Sequence, residues 1–523
     1  MENESKGMRL LKKGQKGLMH ALFSRLGIFI ILLILQAGVM FAVFGWFAEL
    51  LPHIWSGSIV FTAFMVLYIL NSAIDPTAKL TWLIIIMLVP VFGVLLFLFT
   101  QSSIGHRMMA KRVKNINAES DCLCPVNQET EDNLAEEYPD TRGLLKYLHQ
   151  YAGSSIYDDT EVTFFPLGEY KFKELLKQLE TAEKFIFLEY FIIEEGLMWG
   201  EILDILAKKA AQGVDVRVMY DGTCEFSTLP RDYPKRLKKL GIKCKVFSPL
   251  TPFFSTHYNY RDHRKILVID GHTAFNGGIN LADEYINEIE KHGHWKDTAI
   301  MLKGGAARRF TLMFLQMWNI DEKTVNFDEI ITNKTENNNN VNGYVVPFGD
   351  CPLDNNKVGE RVYMDILNRA KKYVHIMSPY LILDGELETA LKFAAERGVD
   401  VKLILPGIPD KAAPFSLAKS YYKSLIESGV KIYEYTPGFV HAKLFVSDDK
   451  EAVVGTINLD YRSLYHHFEC ATWLIGNPSI GEIEKDYSET LKKCRQVTKE
   501  TIWEGHKGYR LLGFVLKAVA PLM

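Results

Sequence analysis

The stretch from Arg261 to Asp270 reads R-D-H-R-K-I-L-V-I-D, placing His263, Lys265 and Asp270 in the spacing H-x-K-x-x-x-x-D. The same spacing returns at His441, Lys443 and Asp448, in H-A-K-L-F-V-S-D. Ile266 to Ile269 and Leu444 to Val446 are apolar, so each copy reads as a buried strand with its Asp near the strand end. Residues two apart on a strand share a face, so each His projects beside its Lys. Gly277 and Asn280 follow His263 by 14 and 17 residues, and Gly455 and Asn458 follow His441 by the same 14 and 17. Upstream, G-V-D-V-R-V-M-Y-D-G at Gly213 to Gly222 resembles G-V-D-V-K-L-I-L-P-G at Gly398 to Gly407. Landmarks repeating in the same order identify an internal duplication. The repeat is too long for a solenoid. It predicts an α/β fold with two similar lobes, mixed sheets flanked by helices, each lobe supplying half of one site.

Two His, two Lys and two Asn in one pocket form a binding site for an anion, and phosphate fits best because ammonium and amide groups donate to its oxygens. A His titrating near ~6.5 attacks when neutral and gives a proton when charged. Two of them on opposite sides of a phosphorus divide those tasks between nucleophile and acid. Lys265, Lys443, Asn280 and Asn458 would stabilise charge on the equatorial oxygens. No acidic cluster for magnesium accompanies the motif, so the expectation is chemistry without metal or cofactor.

Three apolar runs without Lys, Arg, Asp or Glu open the chain, at 27–47, 54–73 and 80–100. Each has the roughly 20 residues that cross ~30 Å of hydrocarbon, so 27–100 is expected to be a transmembrane region behind a basic segment, 1–26. The first run is too long for a cleavable signal and lacks a clear small-residue cleavage site. Basic residues flank both ends (Arg9, Lys12, Lys13, Lys16 and Arg25 before; Arg107, Lys111, Arg112 and Lys114 after). By the positive-inside rule both flanks face the cytoplasm, which three spans cannot satisfy. Either one run is interfacial or re-entrant, or the N-terminal charges yield. The catalytic body is expected to be cytoplasmic, with the side of the N-terminus open.

Residues 101–150 read as a linker, its polar acidic part at Asn115 to Glu137 on the surface. The first lobe is expected over 151–325, an Asn-rich linker over 326–342, the second lobe over 343–500, and an amphipathic tail over 501–523 that lies along a membrane surface or packs as an ordinary helix. In the membrane-surface reading Arg510 and Lys517 face lipid headgroups. A net charge of −3 argues against a nucleic-acid partner. Seven scattered cysteines read as reduced thiols.

The chain resembles the bacterial cardiolipin synthases of the phospholipase D superfamily. The resemblance rests on Arg261-Asp-His-Arg-Lys265, Gly277-Gly-Ile-Asn-Leu-Ala-Asp-Glu-Tyr285, Trp295-Lys-Asp297, Ser378-Pro-Tyr380, Gly429-Val-Lys-Ile-Tyr-Glu434, Phe439-Val-His-Ala-Lys443 and Val454-Gly-Thr-Ile-Asn-Leu-Asp-Tyr-Arg-Ser463. The segment Asp75-Pro76 to Trp82 is similar to the family's polar break before its last membrane helix. The first run, 27–47, goes beyond the two spans common there. The resemblance implies a membrane enzyme that passes a phosphatidyl group from one phosphatidylglycerol to another through a phosphatidyl-histidine, releasing glycerol. It implies His263 as nucleophile and His441 as acid, then base, with Asp270 and Asp448 in support. It also implies a carboxylate that orients each His, with Glu469 matching for the second half and Asp297 for the first. A hydrolase or a phosphatidylserine synthase of the same superfamily is the rival reading, and an inert membrane scaffold the rival of another class. Oligomeric state is not legible.

Overall fold

The computed structural model describes residues 55–72, 74–88, 104–249, 260–328, 341–354, 356–504 and 508–522, with positions 38, 42, 93, 94 and 96–98. The basic segment 1–26, nearly all of the run 27–47 and most of the Asn-rich linker lie outside them. The first lobe carries β1 (Glu161–Phe165), β2 (Phe185–Tyr190), β3 (Asp215–Asp221), β4 (Lys243–Phe247), β5 (Arg261–Asp262), β6 (Lys265–Ile269), β7 (Thr273–Gly277), β8 (His294–Lys296) and β9 (Ala299–Lys303). The second carries β10 (Tyr344–Asp350), β11 (Tyr373–Met377), β12 (Asp400–Pro406), β13 (Lys431–Tyr435), β14 (Gly438–Val440), β15 (Leu444–Ser447), β16 (Glu451–Gly455), β17 (His467–Ile475) and β18 (Cys494–Val497).

The duplication is visible in the sheets. The first is ordered β1-β9-β7-β6-β2-β3-β4 and the second β10-β17-β16-β15-β11-β12-β13, with β18 added at its edge. In each, three neighbouring strands run parallel (β2, β3, β4 and β11, β12, β13) and the rest are antiparallel. The motif strands β6 and β15 lie at matching central positions and are buried throughout. Their unbroken apolar character follows from having both faces covered.

The lobes share one interior. The helix Ala306–Trp318 packs in a cluster that joins Phe187, Ile266 and Val268 of the first sheet to Leu444, Val446 and Val454 of the second. Two short ladders also cross between lobes. β5 of the first lobe pairs in parallel with the start of β17, matching Arg261 to His467 and Asp262 to Phe468. β14 of the second pairs in parallel with β8, matching Phe439 to Trp295 and Val440 to Lys296. Each crossed strand is the segment just before a motif His. The backbone N–H of His263 donates to Phe468 O at 3.0 Å, and that of His441 to Lys296 O at 2.7 Å.

The stretch 101–150, expected as a linker, is instead largely helical: Ile104–Ser120, Gln128–Glu137 and Arg142–Ala152. Its polar composition hides sparse anchors. Ile116 packs into the shared interior, while Leu134, Leu144, Leu145 and Leu148 pack into the outer core of the second lobe.

Within the expected transmembrane region the described helices are Trp55–Asn71 and Pro76–Leu88. Among the described residues no helix is long and apolar enough to cross a membrane. Asp75 caps the second of these helices, accepting from the N–H of Thr77 at 2.9 Å and Ala78 at 3.1 Å, with Pro76 in the first turn. The tail forms the helix Tyr509–Lys517. It lies so close to the helix Ala412–Glu427 that a Cβ at Gly513 would meet Ser416 O at 2.4 Å. Thr81 Oγ1 donates to Ala518 O at 2.8 Å, tying the tail to the N-terminal helices. Lys517 is exposed, with its ammonium 4.2 Å over the Tyr421 ring. The tail's outer side exposes Leu511, Phe514 and Val515.

Candidate active site

His263 lies just ahead of β6, in line with the sheet's centre. Its Nδ1 is 2.8 Å from Oε1 and 3.0 Å from Oε2 of Glu469. The Glu469 carboxylate is fully buried on β17 and also accepts from the Thr456 hydroxyl. His441 lies likewise ahead of β15, its Nδ1 2.6 Å from Oδ2 of Asp297. Asp297 follows β8 and accepts from the N–H of Thr298 at 2.7 Å. A side chain at Gly278 would drive a Cβ to 2.2 Å from Asp297 Oδ1, so only glycine admits this approach. Each carboxylate fixes one ring nitrogen and leaves Nε2 to face the site, the arrangement that orients a His for proton or group transfer.

The pairing departs from expectation. Glu469, expected to serve the second half, holds the His of the first. Asp297, expected to serve the first, holds the His of the second. The crossed ladders explain it: β5 delivers His263 beside β17, which carries Glu469, and β14 delivers His441 beside β8, which leads to Asp297.

The lysines converge as predicted. Lys265 donates to His263 O and Lys443 to His441 O. The Lys443 ammonium also lies 2.9 Å from Nδ1 and 3.1 Å from Nε2 of His441. A third lysine, Lys171, joins them. It is fully buried on the helix Gly168–Glu180, donating to Ile279 O at 3.2 Å and Tyr190 Oη at 3.4 Å. Its signal was in the sequence: Lys171, Leu175 and Leu179 fall at i, i+4 and i+8, which places a lysine on the helix's core stripe.

Burial dominates the electrostatics, because charge in this pocket loses its hydration. It lowers Lys265 to about 8, and Lys443 and Lys171 to about 7, although Asp297 or Glu469 pulls each the other way. It raises Asp297 to about 7 against the attraction of Lys443. His263 is held well below its ordinary value by burial, and His441 by burial together with Lys443 and Lys265. Burial pushes Glu469 up too, but His263 and His467 outweigh it and keep that carboxylate below its usual range. The site thus concentrates donors whose positive charge is only partly expressed until an anion enters.

Asp270 and Asp448 are not brought to this site. Each ends its motif strand on the side away from the His, about 17 Å along five residues of β6. Both adopt a left-handed turn, with φ of 52° and 54°. The Asp270 carboxylate accepts from the N–H groups of Glu183, Lys184 and Phe185, at 2.8, 2.8 and 2.7 Å. Asp448 does the same for Lys371, Lys372 and Tyr373, at 2.7, 2.8 and 2.8 Å. They pin the start of the neighbouring strand. Asp270→Ala strands three amides and should cost about 3 kcal/mol. A thermal melt should show the loss, while the activity of the molecules that remain folded stays within a few-fold of wild type.

The two Asn differ. Asn280 Oδ1 accepts from Ile192 N–H at 3.1 Å and its Nδ2 donates to Tyr285 Oη at 2.7 Å, so its amide braces the aromatic wall beside His441. Asn458 Nδ2 reaches Asp460 at 3.3 Å, and its Oδ1 has no partner. The surroundings of the two His differ as well. Trp295, Tyr285 and Phe439 ring His441. Around His263 stand Phe191 and His467, with the buried ion pairs Arg261–Asp221 and Arg264–Glu189 close by.

A family model described as "Cardiolipin synthase, PLD-like domain" matches residues 175–318 and 363–491, and one described as "Phospholipase_D-nuclease N-terminal" matches 60–100. An uncharacterised protein of Streptococcus mutans is 56% identical over 88% of this chain and 99% of its own length. A cardiolipin synthase of Halalkalibacterium halodurans is 31% identical over 96% of this chain and all of its own. One of Alkalihalophilus pseudofirmus is 31% identical over 91% of this chain and 95% of its own. Among solved structures, phosphatidylserine synthase of Haemophilus influenzae shares the fold, with a TM-score of 0.55 at 14% identity over 73% of this chain and all of its own.

Proposed function

The chain belongs to the cardiolipin synthase family of phospholipase D-like proteins, and from that premise we propose that it joins two phosphatidylglycerols into cardiolipin and glycerol through a phosphatidyl-histidine. The observation that carries the reading is the pair of buried His, each held at Nδ1 by a carboxylate, with three lysines around them.

His263 Nε2 attacks the phosphorus of the first lipid, forming a P–N bond as the P–O bond to glycerol breaks. His441 gives its proton to the departing glycerol oxygen. A hydroxyl of the second phosphatidylglycerol then attacks the phosphorus and passes its proton to His441, and the P–N bond breaks. One phosphodiester is lost and one is gained, so no cofactor is consumed. Burial suits His263 for attack because it keeps the ring neutral. The entering phosphate anion favours the charged forms of His441 and the lysines, so binding arms the acid and completes the oxyanion cradle. Asn458 would add a donor to that cradle, while Asn280 acts through Tyr285.

Transmembrane passage in the region 27–100, a plasma-membrane location and a cytoplasmic body belong to the same reading. They are supported by the apolar runs and by a set of outward apolar side chains, among them Phe64, Leu67, Met87 and Leu88 of the N-terminal helices and Leu511 and Phe514 of the tail. A tail lying at the lipid interface would bring both lipids to the second lobe's edge.

The test is product analysis of the purified, detergent-solubilised chain given phosphatidylglycerol alone and then with serine. Glycerol release with cardiolipin supports the synthase. Phosphatidic acid instead would identify water as acceptor, and phosphatidylserine would identify serine.

A pH dependence follows. A deprotonated lysine has no charge with which to hold a phosphate, so anion capture is full only well below 7 and is lost as pH rises through about 7 to 8, where the lysines of the empty site titrate. kcat/KM, which reports the free enzyme, should fall across that window. kcat should hold to higher pH, because bound phosphate raises the same lysines.

A further inference from the structure

His467 has no part in the scheme above, yet its placement is specific. It is 7% exposed, and neither ring nitrogen has a hydrogen-bond partner. Its ring centroid is 5.3 Å from that of His263, and its Nδ1 is 3.6 Å from Glu469 Oε1. A buried imidazole that approaches Glu469 only beyond hydrogen-bond reach is costly unless something completes it. One donor atom each from His263, His467 and Glu469 lies within 4.8 Å of the others. Two imidazoles and a carboxylate are a zinc ligand set that leaves a fourth position for water.

The duplication supplies an internal comparison. The ladder partner that precedes Glu469 by two residues is His467, and the one that precedes Asp297 by two is Trp295. The two stand at equivalent places beside the two site histidines, but Trp295 offers no ligand. Among the described residues of the two half-sites, the clustered donors stand on the His263 side.

We infer that His263, His467 and Glu469 form a binding site for a divalent transition metal of the zinc type, and that occupancy switches the enzyme off by engaging the nucleophile. Metal binding stands apart from the catalytic scheme, whereas the inhibition rests on His263 being needed for turnover. A metal on Nδ1, the ring nitrogen that faces Glu469, leaves the ring proton on Nε2 and removes the lone pair that attacks phosphorus, so the site is inhibitory and reversible by chelation.

The experiment uses the full-length protein in detergent. Co2+ is titrated as a spectroscopic probe, and Zn2+ is titrated against glycerol release, with His467→Gln and the exposed-thiol control Cys122→Ser alongside. One equivalent of Co2+ should give the intense visible absorption of a four-coordinate ion, and Zn2+ displaces it. Each protein's inhibition is scaled to its own metal-free rate. On that scale His467→Gln should need at least tenfold more Zn2+ for half-inhibition, while Cys122→Ser should match wild type. Absence of the Co2+ band in wild type overturns the metal site whatever the variant does, as does a band or an inhibition curve unchanged in His467→Gln. A band in wild type without inhibition by Zn2+ keeps the site and overturns the switch, and with it the role given to His263.

Discussion

His263→Ala should lower kcat for cardiolipin formation by on the order of 10⁵-fold, since a missing nucleophile removes the covalent route itself. His441→Ala should be almost as damaging with phosphatidylglycerol, because glycerol is a poor leaving group without a proton. The two variants separate when the leaving group needs none. With a phosphatidyl p-nitrophenyl ester, His441→Ala should still release p-nitrophenol in a burst and hold a phosphatidyl-protein label whose P–N bond is lost in acid and survives alkali, as a phosphohistidine does. His263→Ala should give neither burst nor label. The opposite pattern would exchange the roles of the two histidines, and label in neither wild type nor variant would remove the covalent intermediate.

Glu469→Gln and Asp297→Asn should each cost about a hundredfold to ten-thousandfold, the range for losing the group that fixes a catalytic imidazole. Their signatures differ because the contacts cross between lobes. Glu469 meets His263 at 2.8 Å, so Glu469→Gln should slow the burst even with p-nitrophenol leaving. Asp297 meets His441 at 2.6 Å, so the defect of Asp297→Asn should largely vanish with that ester. If each carboxylate served the lobe that encodes it, the two results would be interchanged. Circular dichroism and a melt keep the comparison on folded protein.

Much of this site was legible because apolar strands announce themselves. Ile266 to Ile269 of β6 and Leu444 to Val446 of β15 are apolar runs, and a repeated spacing set around them fixes which His and Lys share a face. The carboxylate partners were found but assigned to the wrong histidines. Chain order places Glu469 nearer His441, and nothing in the residues says that β5 reaches across to β17. Asp270 and Asp448 read as site residues because they complete the spacing, yet their short carboxylates were claimed by three amides each. The helix Ile104–Ser120 was missed for a different reason. One face of it packs through a few residues such as Val113 and Ile116, too few to outweigh its charged remainder. His467 carried no periodic signal at all, and only the ladder places it.

The crossed ladders also describe an ancestry. A single lobe owns one histidine, the other histidine's carboxylate, and one strand of each ladder. Alone it has no working centre. Two copies related by a two-fold axis would have two half-reactions' worth of groups in one cleft, each subunit lending its acid to its neighbour. Joining the copies in one chain removed the need for them to stay identical. Trp295 and His467 stand at equivalent places across that axis, so one half presents an aromatic wall and the other an imidazole that exact symmetry would have forced on both.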